Sequence, residues 1–294
     1  MNTLTINIEG IKPQTIAYPS TWNEMNKKQL LFATQFLNSN LLISEFRVKA
    51  VQAFLGKKNE LFKQYALIKR AQDKAKGERA VIDFWQNKLT HLDELIYCIS
   101  ESLSFIYKDA SLTKQLLPRV LNLYGCADNM SDLSFIEFAK ADIFFSSYRN
   151  TNDIQYIDKL VAVLYRPARL SWYFTRWFNY TAKKRVDFSD ECLKRNLTRI
   201  SKLPIEIKQA ILFHFTSCRS AIVAKYPNVF TQGDSDGNTE GFGYAGLLTE
   251  LAGTKFGDQD KTAYTNIHDI LRHLEMEKIK ANKLKAQYDE HNRA

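Results

Sequence analysis

Apolar residues recur at helical spacing along most of this sequence, most regularly between residues 78 and 107. In that stretch, eight apolar positions follow one another at intervals of three or four residues: Ile82, Trp85, Leu89, Leu92, Ile96, Ile99, Leu103 and Ile106. A repeat close to 3.5 residues is typical of a helix that packs through one narrow face. The pattern predicts a long helix near 78–107. Its C-terminal residue is not determined by the pattern, because residues 102–107 also alternate as a strand does.

Other helical patterns cover much of the remaining chain and predict helices at 135–148, 154–164, 190–200, 204–224, 243–251 and 267–288. Near the beginning, Asn26 and Gln29 have the spacing of a capping box, which predicts a helix start. The first residues differ, because Leu4 and Ile6 alternate with polar residues and residues 15–18 can pair back on them. We therefore predict a mainly α protein, a multi-helix bundle with a small N-terminal β-hairpin.

Three regions follow from these patterns. Residues 1–20 form the predicted hairpin, residues 21–125 a helical region that contains the long helix, and residues 126–294 a second helical region. The last helix of that second region loses its apolar face beyond Glu275 and becomes rich in lysine. Such an end is expected to fray, to project or to dock into another chain.

Composition narrows the class of protein further. The 294 residues include only 11 Gly and 6 Pro, which disfavours an all-β sandwich with its frequent turns. No stretch of about 20 apolar residues is present, so we expect no membrane span. The chain opens without a basic segment and apolar core, so we expect no secretory leader. Four cysteines without a close pair are interpreted as reduced thiols.

Positive charge concentrates in two blocks of the sequence. Residues 45–80 hold ten Lys and Arg against four Asp and Glu, and residues 165–202 hold ten against three. Within the second block, arginines alternate with aromatic residues, a mixture that suits nucleic acid because guanidinium groups meet phosphates and rings stack on bases. Protein interfaces and cores are enriched in the same residue types. The candidate contact residues for a partner or for nucleic acid are Arg166, Arg169, Trp172, Arg176, Trp177, Lys183, Lys184 and Arg185.

The sequence contains none of the common catalytic motifs and only incomplete metal-ligand patterns. The sequence has no nucleophile elbow, dinucleotide fingerprint, phosphate-binding loop or zinc-protease motif, so we predict neither an enzyme nor a cofactor. His214 and Cys218 would share a helix face, but two ligands do not make a metal site, and burial in a core is the favoured alternative. Residues 234–240 offer oxygen ligands at calcium-loop spacing, but Thr239 stands where glycine is required, which favours a surface turn.

Several short stretches resemble proteins encoded in the structural gene clusters of tailed phages and prophages. Residues 18–29, Tyr-Pro-Ser-Thr-Trp-Asn-Glu-Met-Asn-Lys-Lys-Gln, are similar to a helix entry in such proteins. Further similar stretches are Leu-Val-Ala-Val-Leu-Tyr-Arg-Pro at 160–167, Leu-Phe-His-Phe-Thr-Ser-Cys-Arg at 212–219 with Tyr-Pro-Asn-Val-Phe at 226–230, and Leu-Ala-Gly-Thr-Lys-Phe-Gly at 251–257, which resembles tail assembly chaperone-like proteins.

The resemblance implies a non-enzymatic, chaperone-like tail assembly or virion structural protein that acts through protein–protein contacts. Its implied partners are other phage structural or tail proteins or further copies of itself, and its implied location is the host cytoplasm or the virion. The alternative hypothesis is a nucleic-acid-binding protein that uses the two basic blocks.

Overall fold

The chain divides into two compact units, residues 1–112 and 113–294. The structure, a computed structural model, describes residues 1–6, 14–39, 79–170, 172, 184–230, 251–253 and 255–292, together with scattered positions between 49 and 74. The predicted mainly α class with a small β-hairpin is confirmed. Among the described residues, no helix is both long and apolar enough to cross a lipid bilayer.

The first unit begins with the predicted hairpin. Strands β1 (Asn2–Ile6) and β2 (Gln14–Tyr18) are antiparallel, with Leu4 opposite Ile16. Helix α1 (Lys27–Leu37) then begins with the predicted capping box, because the Asn26 side chain accepts from the Gln29 amide and the Gln29 side chain accepts from the Asn26 amide. Local sequence therefore determines where this helix starts.

The long helix of the first unit is shorter than predicted. Helix α2 spans Arg79–Ser102 and is followed by a separate single-turn helix α3, Phe105–Lys108. The hydroxyls of Ser100 and Ser102 donate to carbonyls three residues earlier, and such bonds compete with the helical ladder and favour a break there. Four residues of the predicted apolar face are buried and the other four lie outside the described side chains; the buried ones are Ile96, Ile99, Leu103 and Ile106.

Five predicted helices of the second unit lie in the described residues, with ends within three residues of those expected, whereas the short helix at Gln259–Tyr264 was not predicted. A short sheet that was not predicted precedes them. The strands are β3 (Arg119–Val120) and β4 (Leu123–Tyr124), and the helices are α4 (Phe135–Thr151), α5 (Ile154–Leu164), α6 (Asp190–Ile200), α7 (Ile205–Lys225), α8 (Gln259–Tyr264) and α9 (Ile267–His291). The helix predicted at 243–251 lies almost entirely outside the described residues.

Helix α5 forms the centre of this unit. Each of residues 160–164 is at most 1% exposed, and α4, α6 and α7 all pack against the helix. The turn between α4 and α5 is tight because Asn152 adopts a left-handed conformation and the Asp153 side chain caps α5 by accepting from the Gln155 amide. Because this helix is buried on all sides, residues 160–164 are all apolar and show no polar face.

The chain leaves α5 in an extended conformation that positions two arginines. Arg166 pairs with Tyr124 through backbone hydrogen bonds in both directions, and Ala168 pairs with Arg185. Tyr165 anchors this segment, since its hydroxyl donates to the Leu117 carbonyl at 2.7 Å. The side chains of Arg166 and Arg185 thereby enter the same buried region.

Candidate functional site

A cavity of about 730 Å³ in the second unit has a charged wall. Its lining comes from the segment before α4, from the first turn of α4 and from the paired extended segments around Arg166 and Arg185. A Glu137 carboxylate in the first turn of α4 faces both guanidinium groups. The site thus combines buried cations and anions in one cluster.

The charges in this cluster neutralise one another. The distance between Arg166 Nη2 and Glu137 Oε1 is 2.6 Å, and Arg185 Nη2 lies 3.0 Å from Asp132 Oδ2 and 3.7 Å from Glu137 Oε2. Arg185 also donates to the Leu164 carbonyl at 2.8 Å. Burial lowers the pKa of Arg166, while the neighbouring Glu137 carboxylate opposes that shift. The arrangement joins α4, α5 and the extended segments, as a structural ion-pair network does.

The candidate contact residues differ in their burial and in their contacts. Arg166 and Arg185 are 3% and 4% exposed, so their guanidinium groups face carboxylates in the interior and not a partner. Arg169 pairs with the partly exposed Asp187. Lys184 Nζ lies 4.2 Å from the centre of the Tyr124 ring and 4.9 Å from that of Trp172. The remaining candidates lie outside the described residues: Arg176, Trp177 and Lys183.

Sequence reasoning missed the acidic half of the network. Ser134 and Glu137 have capping-box spacing, and the Glu137 carboxylate does accept from the Ser134 amide. That spacing is a local signal for a helix start and carries no information about the arginines, which are about 30 and 50 residues away in sequence. Only the chain path after α5 brings the opposite charges together.

Among the described residues of the basic block at 165–202, the exposed cations lie on helix α6 and directly after it. Cys192, Asn196 and Ile200 form the buried side of this helix. Four exposed cations make no ion pair with a described residue: Lys194, Arg195 and Arg199 on α6, and Lys202 just beyond its end. The first basic block, residues 45–80, lies mostly outside the described residues.

His214 and Cys218 come together on α7 as the sequence predicts. Their Nε2 and Sγ atoms are 3.4 Å apart, and both lie near the Thr113 carbonyl. Burial lowers the pKa of His214 and raises the pKa of Cys218, which favours the neutral form of each group and not a thiolate–imidazolium pair. Within the described part of the chain, no three His, Cys, Asp or Glu side chains form a possible metal site; residues 234–240 lie outside that part.

Helix α9 has an anchored beginning and a projecting end. Ile267, Ile270 and Leu271 are buried. Glu275 is the last residue of the anchored part. Its carboxylate accepts hydrogen bonds from the backbone amides of Asn228 and Val229 and from the Asn228 side chain. Every residue from 276 to 292 is exposed. Large apolar side chains lie on this exposed part, which we call the tail helix: Met276, Ile279, Leu284 and Tyr288.

Comparisons with known proteins give no family to which the chain can be assigned. No protein-family model matches it, and no curated protein or solved structure matches it significantly.

Proposed function

We propose that this chain is a non-enzymatic, phage-type tail assembly or virion structural protein that acts through protein–protein contacts. The tail helix carries this proposal. Seventeen consecutive exposed residues, four of them large and apolar, extend from a helix whose first turns are packed in the unit. Exposed apolar side chains grouped on one projecting element are typical of a surface that a partner covers.

The anchoring of α9 supports a binding role for the tail helix. Glu275 accepts three hydrogen bonds from the segment that follows α7, at the point where the helix leaves the unit. The base of the tail helix is thus held in place, and a partner that binds it loses less conformational entropy than one that binds a free terminus. This geometry favours a docking element over a frayed end.

The test is co-expression of the full chain with the proteins encoded by neighbouring genes, followed by size exclusion coupled to light scattering. We expect a complex of defined stoichiometry with at least one of them. A second chain that lacks residues 276–294 is expected to lose that complex while its thermal midpoint shifts by less than about 2 °C. Absence of any complex, or a complex that the truncated chain still forms, would contradict the proposal.

The exposed basic side of α6 favours a second candidate function, nucleic-acid binding. Three of its cations, Lys194, Arg195 and Arg199, lie within about one and a half helical turns and have no neutralising partner among the described residues. Phosphate contacts of this kind give an affinity that falls steeply with salt, because each neutralised phosphate releases counterions. Reversal of Lys194, Arg195 and Arg199 to Glu is expected to abolish retention of a short duplex at low salt.

A control of equal charge tests whether the effect is local. Reversal of three exposed lysines elsewhere, Lys255, Lys261 and Lys278, changes the net charge by the same amount. If both triple variants lose the duplex equally, only the net charge of +9 attracts it. Reversal of residues 183–185 is a poorer test, since Arg185 belongs to the buried network.

A further inference from the structure

The tail helix combines positive charge with apolar side chains. Residues 278–288 include four lysines and no aspartate or glutamate. The described ion pair in this region joins Lys280 to Glu277 at 3.4 Å, with both side chains more than half exposed. An exposed pair of this kind is weak, so the lysines remain available to a partner.

One face of the tail helix carries both kinds of side chain. On an α-helix, residues at i, i+3, i+4, i+7 and i+8 lie on the same side. Counted from Met276, this face presents Met276, Ile279, Lys280, Lys283 and Leu284. Apolar and cationic positions therefore alternate along one stripe, which we call the mixed face.

We infer that the mixed face docks on an acidic α-helical surface of a protein partner. Carboxylates of that surface meet Lys280 and Lys283, and its apolar side chains cover Met276, Ile279 and Leu284. Charge complementarity selects the partner, and the apolar contacts supply most of the free energy of binding. This inference rests on the proposed function and specifies the chemistry of the partner.

A second copy of the chain does not satisfy this surface. Two tail helices packed through their mixed faces place Lys280 and Lys283 of one copy near the same two lysines of the other. Like charges at such an interface repel each other and cost free energy. The complementary surface therefore belongs to a different, acidic protein.

Two other anionic partners fit the mixed face less well. Nucleic acid offers phosphates to the lysines but leaves the apolar side chains without cover. A lipid surface favours a helix with one continuous apolar face, which Lys280 and Lys283 interrupt. An acidic helical surface with apolar residues meets both requirements.

The test compares two charge reversals of equal size in the full chain. Lys280→Glu with Lys283→Glu changes the mixed face, and Lys278→Glu with Lys285→Glu changes the other side of the same helix. The probe is a labelled synthetic amphipathic peptide with leucines along one helical face and glutamates beside them. We expect the mixed-face variant to bind it about tenfold more weakly and the control variant to bind within about threefold of the parent chain.

Two further probes decide between the anionic partners. A peptide with lysine in place of every glutamate is expected not to bind, and reversal of Lys280 and Lys283 is expected to leave the binding of a short duplex within about threefold. Equal weakening of peptide binding by the two double variants, or a loss of duplex binding that only the mixed-face variant shows, would overturn the inference.

The same variants keep this inference separate from the proposed function. Introduced into the complex with a neighbouring gene product, the mixed-face reversal is expected to dissociate it and the control reversal to preserve it. A complex that survives both reversals supports the proposed function and contradicts the acidic-partner inference. Absence of any complex contradicts the proposed function, and the peptide experiment then decides the inference alone.

Discussion

At the scale of single residues, the buried carboxylate of Glu137 is expected to contribute strongly to the free energy of unfolding. It faces Arg166 and Arg185, all three being at most 4% exposed. Glu137→Gln leaves two buried guanidinium groups short of negative charge, and breaking a buried ion pair in this way costs about 3–5 kcal/mol. We expect urea unfolding, monitored by circular dichroism, to show that the free energy of unfolding falls by this amount.

An exposed ion pair provides the control for this prediction. Asp187 pairs with Arg169 at the rim, where the two side chains are 53% and 32% exposed. Asp187→Asn is expected to lower the free energy of unfolding by less than about 1 kcal/mol. Similar losses from both variants would show that the buried network is not what stabilises this region.

Gly125 illustrates a steric requirement at the same scale. A Cβ at this position would lie 2.8 Å from Gln115 Nε2 and 2.9 Å from the ring of Tyr165. That ring is 1% exposed and held through its hydroxyl, so it has little room to move. Gly125→Ala is expected to lower the free energy of unfolding by about 1–3 kcal/mol in the same urea assay. An unchanged midpoint would mean that the Tyr165 segment relaxes freely.

At the scale of elements, the two parts of α9 should respond differently to truncation. Deletion of residues 276–294 removes no buried side chain among those described, so we expect the thermal midpoint to shift by less than about 2 °C. Deletion from residue 267 also removes Ile267, Ile270 and Leu271 and is expected to lower the midpoint strongly. A large shift from the shorter deletion would place the tail helix in the core.

The elements also show what local sequence determines. The capping box at Asn26 and the apolar pattern of α5 are sufficient to place two helices, because these signals act within a few residues. The ion-pair network was not predictable, since Arg166 and Glu137 meet only through the path of the whole unit. Burial of two of the candidate arginines follows from that path, and a count of basic residues cannot distinguish paired from exposed cations.

At the scale of the whole molecule, stability should depend on pH through two histidines. Burial lowers the pKa of both His214 and His268 from the usual value of 6.5. Below about pH 6.5 the unfolded chain therefore binds protons that the folded chain does not, and stability falls as the pH falls. We expect the thermal midpoint at about pH 5.5 to be lower than at about pH 7.5.

A variant of one histidine tests this cause of the pH dependence. His214→Gln cannot be protonated in this range, so we expect a smaller difference between the two midpoints than in the parent chain. The absolute midpoint of the variant is not the readout, because the substitution also alters packing beside Cys218. If the difference between the two midpoints is the same in the variant and in the parent chain, groups other than His214 cause the pH dependence.

The Glu275 anchor also has a consequence for the cooperativity of α9. The packed turns before Met276 provide a helix nucleus, so each tail residue only has to extend an existing helix. Met276→Pro interrupts this extension, because proline lacks the amide hydrogen and clashes with the preceding turn. Amides beyond residue 276 should then exchange their hydrogens faster than in Met276→Ala, while those of residues 270–271 keep their protection. The turns buried in the unit thus sustain helical order in residues whose side chains are all exposed.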